Sequence, residues 1–140
     1  MPQPTLEFAQ QVMDAQPFST LLGARLIGFG DGEAVVELDI ADHHRQQFGL
    51  VHGGVLAYCA DNALTFAAGT VLGASILTTG MTITYLRPAR DGTLRTKAVV
   101  ETHDDLVATC TAQIEVLGPD RTLTLCAIAE GTARIARAAR

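Results

Sequence analysis

Between Arg45 and Arg87 the chain carries one formal charge, Asp61. It lies in the stretch Phe48 to Ala68, FGLVHGGVLAYCADNALTFAA, which is apolar enough to form the interior of the fold. A helix here would open on Gly53 and Gly54 and carry a lone carboxylate in its middle. A carboxylate is costly to bury unless it is paired, hydrogen-bonded or protonated, and neighbours such as Cys59, Ala60, Ala63, Leu64 and Phe66 offer no cation. Asp61 is therefore either capped by polar groups from elsewhere in the fold or kept for chemistry, since perturbed carboxylates collect at reactive sites.

The 140 residues, 48% of them hydrophobic, are enough for one domain with a real core, spanning 1–140. Residues 1–20 read as an N-terminal helix and lead-in, and residues 134–140, with Arg134, Arg137 and Arg140, as a basic tail. A net charge of −5 argues against nucleic acid as a partner. The N-terminus has no basic patch followed by an apolar run, so no signal peptide is expected. The apolar run Val51 to Leu77 is long, but Asp61, Asn62, several threonines and the glycines at 53, 54, 69 and 73 argue against a membrane span. Cys59, Cys110 and Cys126 are odd in number, widely spaced and set in apolar sequence, as reduced core thiols of a cytoplasmic protein would be. His43 and His44 follow Asp42 without a second ligand cluster at suitable spacing, so they read as loop residues and no metal is expected.

Helical spacing of Leu6, Phe8, Ala9, Val12 and Met13 predicts a short amphipathic helix over Thr5 to Gln16, stopped by Pro17. Leu22 to Phe29 and Glu33 to Ile40 read as strands joined by Gly30-Asp31-Gly32, a strong hairpin signal. A polar loop, Ala41 to Gln47, leads to the central helix, Gly53 to about Gly69. Further strands are expected at Ile76 to Leu86, Thr93 to Thr102, Val107 to Leu117 and Thr122 to Ala133, with turns at Pro88 to Gly92, His103 to Asp105 and Gly118 to Asp120. The order predicts an α+β domain, an antiparallel sheet of five or six strands around one long apolar helix. One sheet cannot cover the whole helix, so part of the helix and a sheet edge should meet a second copy of the chain.

Asp61 lies eight residues beyond Gly53, roughly 12 Å along a helix axis. One reacting carbonyl cannot easily touch both the amino end and the carboxylate of the same helix. If the glycine N–H groups polarise a carbonyl while a carboxylate attacks it or activates water, the carboxylate should come from another subunit. Two such helices packed antiparallel would build two identical composite sites, so mechanism also predicts a dimer.

The run GLVHGGVLAYCADNA, with MTITYLRP at Met81 to Pro88, resembles the hotdog-fold acyl-CoA thioesterases, and among them the phenylacetate-pathway and Arthrobacter-type 4-hydroxybenzoyl-CoA thioesterase branch. The resemblance covers roughly Leu21 to Ile135. It implies the hotdog fold and Asp61 as catalytic carboxylate, nucleophile or general base. Gly53 would supply the N–H that polarises the thioester carbonyl, helped by the helix dipole. Gln46 falls where such enzymes place an Asn or Gln near the carbonyl, although Gln47 takes that place after a one-residue shift. Thr78 falls where they place a Ser or Thr that orients water or the carboxylate. His52 and Gly54 would help form the substrate site at the helix start, His52 chiefly as a tie to the preceding loop. Gly80, Tyr85, Leu86, Arg87, Pro88 and Arg90 would lie along coenzyme A, the arginines facing its phosphates. The acids of the His103-Asp104-Asp105 turn stand where relatives often have Gly with Lys or Arg.

The implied activity is hydrolysis of an aryl- or medium-chain acyl-CoA by a homodimer or homotetramer, with coenzyme A as part of the substrate and no separate cofactor. Leu56, Tyr58 and Leu64 are the residues expected to line the acyl pocket. Two other readings share the fold: a non-catalytic acyl-CoA sensor, against which Asp61 speaks, and an enoyl-CoA hydratase, whose Asp and His pair Asp42, His43 and His44 imitate only loosely.

Overall fold

The computed structural model describes residues 4–136, so Arg137 and Arg140 of the expected basic tail lie outside the described residues. In chain order the elements are α1 (Leu6–Asp14), α2 (Pro17–Leu22), β1 (Ala24–Gly30), β2 (Glu33–Asp39), a 3-10 turn (Asp42–His44), α3 (Gly53–Leu72), β3 (Ile76–Tyr85), β4 (Thr93–His103), β5 (Val107–Leu117) and β6 (Leu123–Ile135). The strands form one six-stranded antiparallel sheet in the order β1-β2-β4-β5-β6-β3, and α3 packs against every strand of it. This is the hotdog arrangement, a sheet wrapped around one helix.

The β1–β2 hairpin closes where Asp31 and Gly32 both have positive φ, 54° and 79°. A two-residue turn matched to strand twist requires that pair of conformations. α3 buries Val55, Leu56, Cys59, Ala60, Ala63, Leu64, Phe66, Ala67, Ala68 and Gly69. Opposing them are inward-facing Val36 and Leu38 of β2, Leu94 of β4, Ile114 of β5 and Cys126 of β6. All three cysteines are free and buried, and burial pushes the Cys59 thiol up to about 12. α3 is long and apolar enough to cross a bilayer, but in this fold most of its surface forms the core of the sheet.

Several element boundaries move by one or two residues from the sequence expectation, and four differences have a local physical cause. Pro17 does not end helical structure: it begins α2, where its fixed φ and missing N–H suit a first turn. Gly23 ends that helix at φ 80°, displacing the start of the first strand from Leu22 to Ala24. α3 runs through Gly69 to Leu72 and is ended by Gly73. Arg134 belongs to β6, paired with Leu77 and Val107, so the strand continues into the expected tail.

The two sheet edges differ. α1 covers β1, with the Gln10 Nε2 donating to the Leu26 carbonyl at 3.0 Å. Beside β1 lies a ladder of ion pairs, Arg25 with Glu37 and Asp39, Arg95 with Glu37, and Lys97 with Glu33. Charges and covering elements are the usual protection of a free edge. β3 has β6 on one side, no described strand on the other, and no charged residue from Ile76 to Tyr85.

The α1–α2 corner is locked to α3 by a polar cluster. Tyr58 donates to the Ser19 hydroxyl at 2.6 Å, Ser19 donates to the Gln16 Oε1 at 2.6 Å, and the Asn62 Nδ2 donates to Tyr58 at 2.9 Å. Ser19 is 1% exposed, and without its oxygen the Tyr58 hydroxyl keeps only the weak Met13 sulfur, 3.9 Å away, as acceptor. Ser19→Ala should therefore lower unfolding stability by about 1–3 kcal/mol, the usual cost of leaving buried polar groups unpaired. Urea denaturation would test this, and an unchanged midpoint would show that the cluster contributes no net stability.

Candidate active site

The sheet leaves one stripe of α3 open. Gly54 and Asp61 are exposed or nearly so and Ala57, Tyr58, Asn62 and Thr65 are half-buried, a set spaced along one helical face. Asp61, which its apolar sequence neighbours place in the interior, is exposed on that stripe within the single chain. The mismatch is geometric: neighbours in sequence point around the helix, and the buried Cys59, Ala60, Ala63 and Leu64 face the sheet while Asp61 does not.

Asp61 is held from β3. The Thr78 hydroxyl donates to its Oδ1 at 2.6 Å. Thr65, one turn on, lies 2.7 Å from the Thr78 hydroxyl and donates to the Asp61 carbonyl at 2.8 Å. A bulge in β3 aims these side chains. The β3–β6 register shifts between Thr78 and Gly80, so Thr79 is an extra residue and turns away to bond Thr132. Before the bulge Ile76 and Thr78 are the less exposed residues, and after it the alternation is reversed, with Met81 and Ile83 taking that role. Thr78 and Tyr85 thereby both reach α3, one at Asp61 and the other at the helix start.

At the amino end of α3, His52 is the N-cap, its Nδ1 accepting from the Gly54 N–H at 2.8 Å. That bond engages the Gly54 N–H and leaves the Gly53 N–H with no acceptor among the described residues. Each glycine makes room for a neighbour: a Cβ at Gly54 would stand 2.9 Å from the His52 Nδ1, and one at Gly53 3.3 Å from the Tyr85 ring. Tyr85 donates to the Gly53 carbonyl at 3.0 Å, fixing the peptide beside the free N–H.

The loop before α3 folds back onto its start, with Arg45 bridged to Val51 and the His52 N–H donating to the His44 carbonyl. Gln46, rather than exposed Gln47, is built into this loop. Its Oε1 accepts from Phe48 N–H at 2.5 Å and Leu50 N–H at 3.4 Å, which leaves the amide NH2 as its free group. Arg45 bonds the Gly49 and Arg90 carbonyls and the Asp91 carboxylate, tying this loop to the one after β3. That second loop carries Leu86, Arg87, Pro88 and Arg90 exposed, with the Arg87 guanidinium resting on the Leu125 carbonyl at 3.2 Å. Gly80 is exposed on β3 beside the bulge, away from the helix start. In the His103 turn, the Asp104 Oδ1 accepts from the Leu106 and Val107 N–H groups, bonds that hold its carboxyl below the usual range.

One chain thus holds two half-sites two helical turns apart. One is a free N–H at the positive end of α3 beside the loop of Gln46 and the arginine loop. The other is Asp61 with Thr78 and Thr65, opening on a groove of about 630 Å³ that Tyr58, Phe18 and Leu77 also line. Of the expected acyl-pocket residues only Tyr58 reaches this groove; Leu56 and Leu64 face the sheet, 3% and 2% exposed. The sequence reading missed Thr65, although it stands four residues after Asp61 on the same face.

A sheet wrapped around one helix is the hotdog fold, and the similarities of this chain make it an enzyme of the thioester-hydrolase class. Residues 48–121 match the thioesterase superfamily model, and the chain belongs to that family. It is 32% identical over 94 residues to acyl-coenzyme A thioesterase 13 of Homo sapiens, covering 66% of this chain and 67% of that one. Among solved structures it is similar to conserved protein PA5202 from Pseudomonas aeruginosa, with a TM-score of 0.81, 28% identity, and coverage of 91% and 99% of the two chains. It also resembles a mutant of phenylacetic acid degradation protein PaaI from Thermus thermophilus, with a TM-score of 0.76, 27% identity, and coverage of 86% and 100%.

The loop before α3 has a pH-sensitive anchor. Buried His44 accepts from the Ala41 N–H at Nδ1 and donates from Nε2 to the Leu22 carbonyl. Burial pushes its pKa below the ordinary 6.5. The unfolded ring titrates near about 6.5, so below that pH the unfolded chain binds a proton that the native chain resists, and stability falls as pH drops. Above about pH 6.5 the contribution is fully present. Urea midpoints should decline from about pH 7 to about pH 5, and less steeply in His44→Gln; equal slopes would remove His44 as the cause.

Proposed function

We propose that the chain is an acyl-CoA thioesterase of the phenylacetate-pathway and 4-hydroxybenzoyl-CoA type, acting on aryl- or medium-chain acyl-CoA. Its site is composite: Asp61, Thr78 and Thr65 of one subunit face the Gly53 N–H and the Gln46 amide of a second copy. The observation that carries this reading is the pairing of an oriented carboxylate with a free helix-start N–H too far along the same helix to meet it. A homodimer supplies the missing half to each. The uncharged free edge of β3 and exposed Phe48, Leu77 and Leu86 favour such an assembly, because a long unprotected apolar edge invites strand pairing. A pair of these dimers would form a tetramer.

In the reaction the thioester carbonyl oxygen points at the Gly53 N–H, where the helix dipole stabilises the developing oxyanion. Asp61 takes a proton from water as the water oxygen bonds to the acyl carbon, or its carboxylate attacks that carbon directly and the mixed anhydride formed on loss of the thiolate is cleaved by water to the free acid and the restored carboxylate. Thr78 holds the carboxylate in one orientation through either course. The C–S bond then breaks, and the coenzyme A thiolate leaves and takes up a proton. A thiolate is a good leaving group, and this scheme calls for no metal or other cofactor. His52 caps the helix without touching the reacting atoms, and Tyr85 positions the Gly53 peptide. Arg87 and Arg90 offer charge to the coenzyme A phosphates along the loop after β3. The setting is cytoplasmic, where acyl-CoA is found, with no role for nucleic acid or membrane.

Asp61→Asn should lower kcat by at least about a hundredfold, since a general base or nucleophile is lost, while the melting temperature stays within a few degrees of wild type. Thiol release from an acyl-CoA panel, with sedimentation equilibrium on both proteins, would check this. Turnover by the variant at the wild-type rate, or a monomer that is fully active, would overturn the composite site.

A further inference from the structure

A second cavity lies beyond the groove of Asp61, beneath α1. It measures about 100 Å³, and its walls include Phe8, Val12, Phe29, Phe66 and Gly69. Gln16, Asn62, Thr65 and Ile76 line both spaces, so the groove and the cavity adjoin along these four side chains. The polar atoms at the junction are already engaged: the Thr65 hydroxyl with Asp61 and Thr78, the Asn62 amide with Tyr58, Ser19 and Gln16. With these groups satisfied by one another, the boundary presents no unpaired polar atom that an apolar chain would have to desolvate.

Gly69 is the informative wall. Glycine inside a helix is a destabilising choice relative to alanine, and neither a strained φ nor close packing requires it here. A Cβ built on Gly69 meets only Phe29, at 3.9 Å, an ordinary contact. What the missing side chain provides is open space.

We propose that this cavity takes the end of the substrate's acyl chain, so that the enzyme prefers straight acyl groups of about eight to ten carbons. The proposal rests on Asp61 being the reacting carboxylate and names the substrate class for that site. From Asp61 to Gly69 the helix rises about 12 Å, and an extended chain advances roughly 1.2 Å per bond, which gives that length. The cavity is smaller than the ~150 Å³ space known to accept benzene, which favours a chain end over a ring at this depth.

The test compares kcat/KM for butyryl-, octanoyl-, decanoyl- and palmitoyl-CoA in wild type, Gly69→Leu and Gly69→Ala. In wild type the values should peak at octanoyl- or decanoyl-CoA. Gly69→Leu fills the space from a position where leucine improves helix propensity over glycine, and should cut the decanoyl-to-butyryl ratio at least tenfold. Gly69→Ala should fall between, and Phe8→Ala should move the optimum toward longer chains. A ratio unchanged in Gly69→Leu, or a loss equal at every chain length, overturns the proposal. Calorimetry with non-hydrolysable S-butyl- and S-decyl-CoA separates it from the activity itself. Wild type that turns over no acyl-CoA defeats the thioesterase mechanism, yet tighter S-decyl binding that Gly69→Leu abolishes still upholds the cavity. Equal binding of the two thioethers in wild type defeats the cavity.

Discussion

One curved sheet cannot enclose a helix completely, and the rest of this structure follows from the strip of α3 left uncovered. A helix with side chains is about 10 Å across, and six strands reach around most of it. Residues that face the sheet are small or apolar, and the sole charge of α3 stands on the side that does not. Asp61 therefore avoids the desolvation that full burial would impose, yet it is anchored by Thr78 from the strand bordering the opening. The feature that makes the chain an incomplete wrapping also presents the carboxylate on which the proposed site is built.

The amino end of α3 shows how the local chemistry divides the labour. Two adjacent glycines look interchangeable as donors, but the peptide between them is held at both ends, its Gly54 N–H by His52 and its Gly53 carbonyl by Tyr85. In the first turn of this twenty-residue helix the Gly53 N–H is then the one without an acceptor among the described residues, at the positive end of the dipole. Gln46 follows the same logic, its oxygen closing its own loop and its NH2 left as a donor. Both groups that the helix start offers to a substrate are donors, which suits an oxygen gaining negative charge and would not suit a cation.

Much of this was legible in the sequence because the signals were local. The Gly-Asp-Gly hairpin, the period of EAVVELDI and the lone acid in an apolar run each follow from a few adjacent residues, and the six strands and central helix emerge from them. What escaped depended on contacts between distant segments. Pro17 reads equally as a stop and as a first turn until Ser19 meets Tyr58 on α3, thirty-nine residues away. The exposure of Asp61 could not be read from its neighbours, because sequence distance does not say which arc of a helix the sheet will cover. Leu56 and Leu64 were assigned to the acyl pocket for their apolarity alone, and the same apolarity places them in the core. The space beneath α1 had a visible trace, an unforced glycine in a helix, but Gly69 reads as a helix end until Val71 and Leu72 are seen to continue it.

The free edge of β3 brings the last of these strands together. An isolated chain leaves Asp61 exposed, where water screens it from any partner charge or dipole. In the proposed dimer, pairing at β3 and closure over the open face of α3 would remove that water. The effective dielectric around the carboxylate would fall just where a second helix start arrives, and electrostatic stabilisation of a transition state grows as water is excluded. Association and catalysis would then be one event: the carboxylate would stay solvated and inexpensive in the monomer, and the environment proposed to make it reactive would be completed only by the second chain. This explains why Asp61 is held by hydroxyls and not by a lysine or arginine. Hydroxyls fix its orientation without neutralising the charge that the reaction uses.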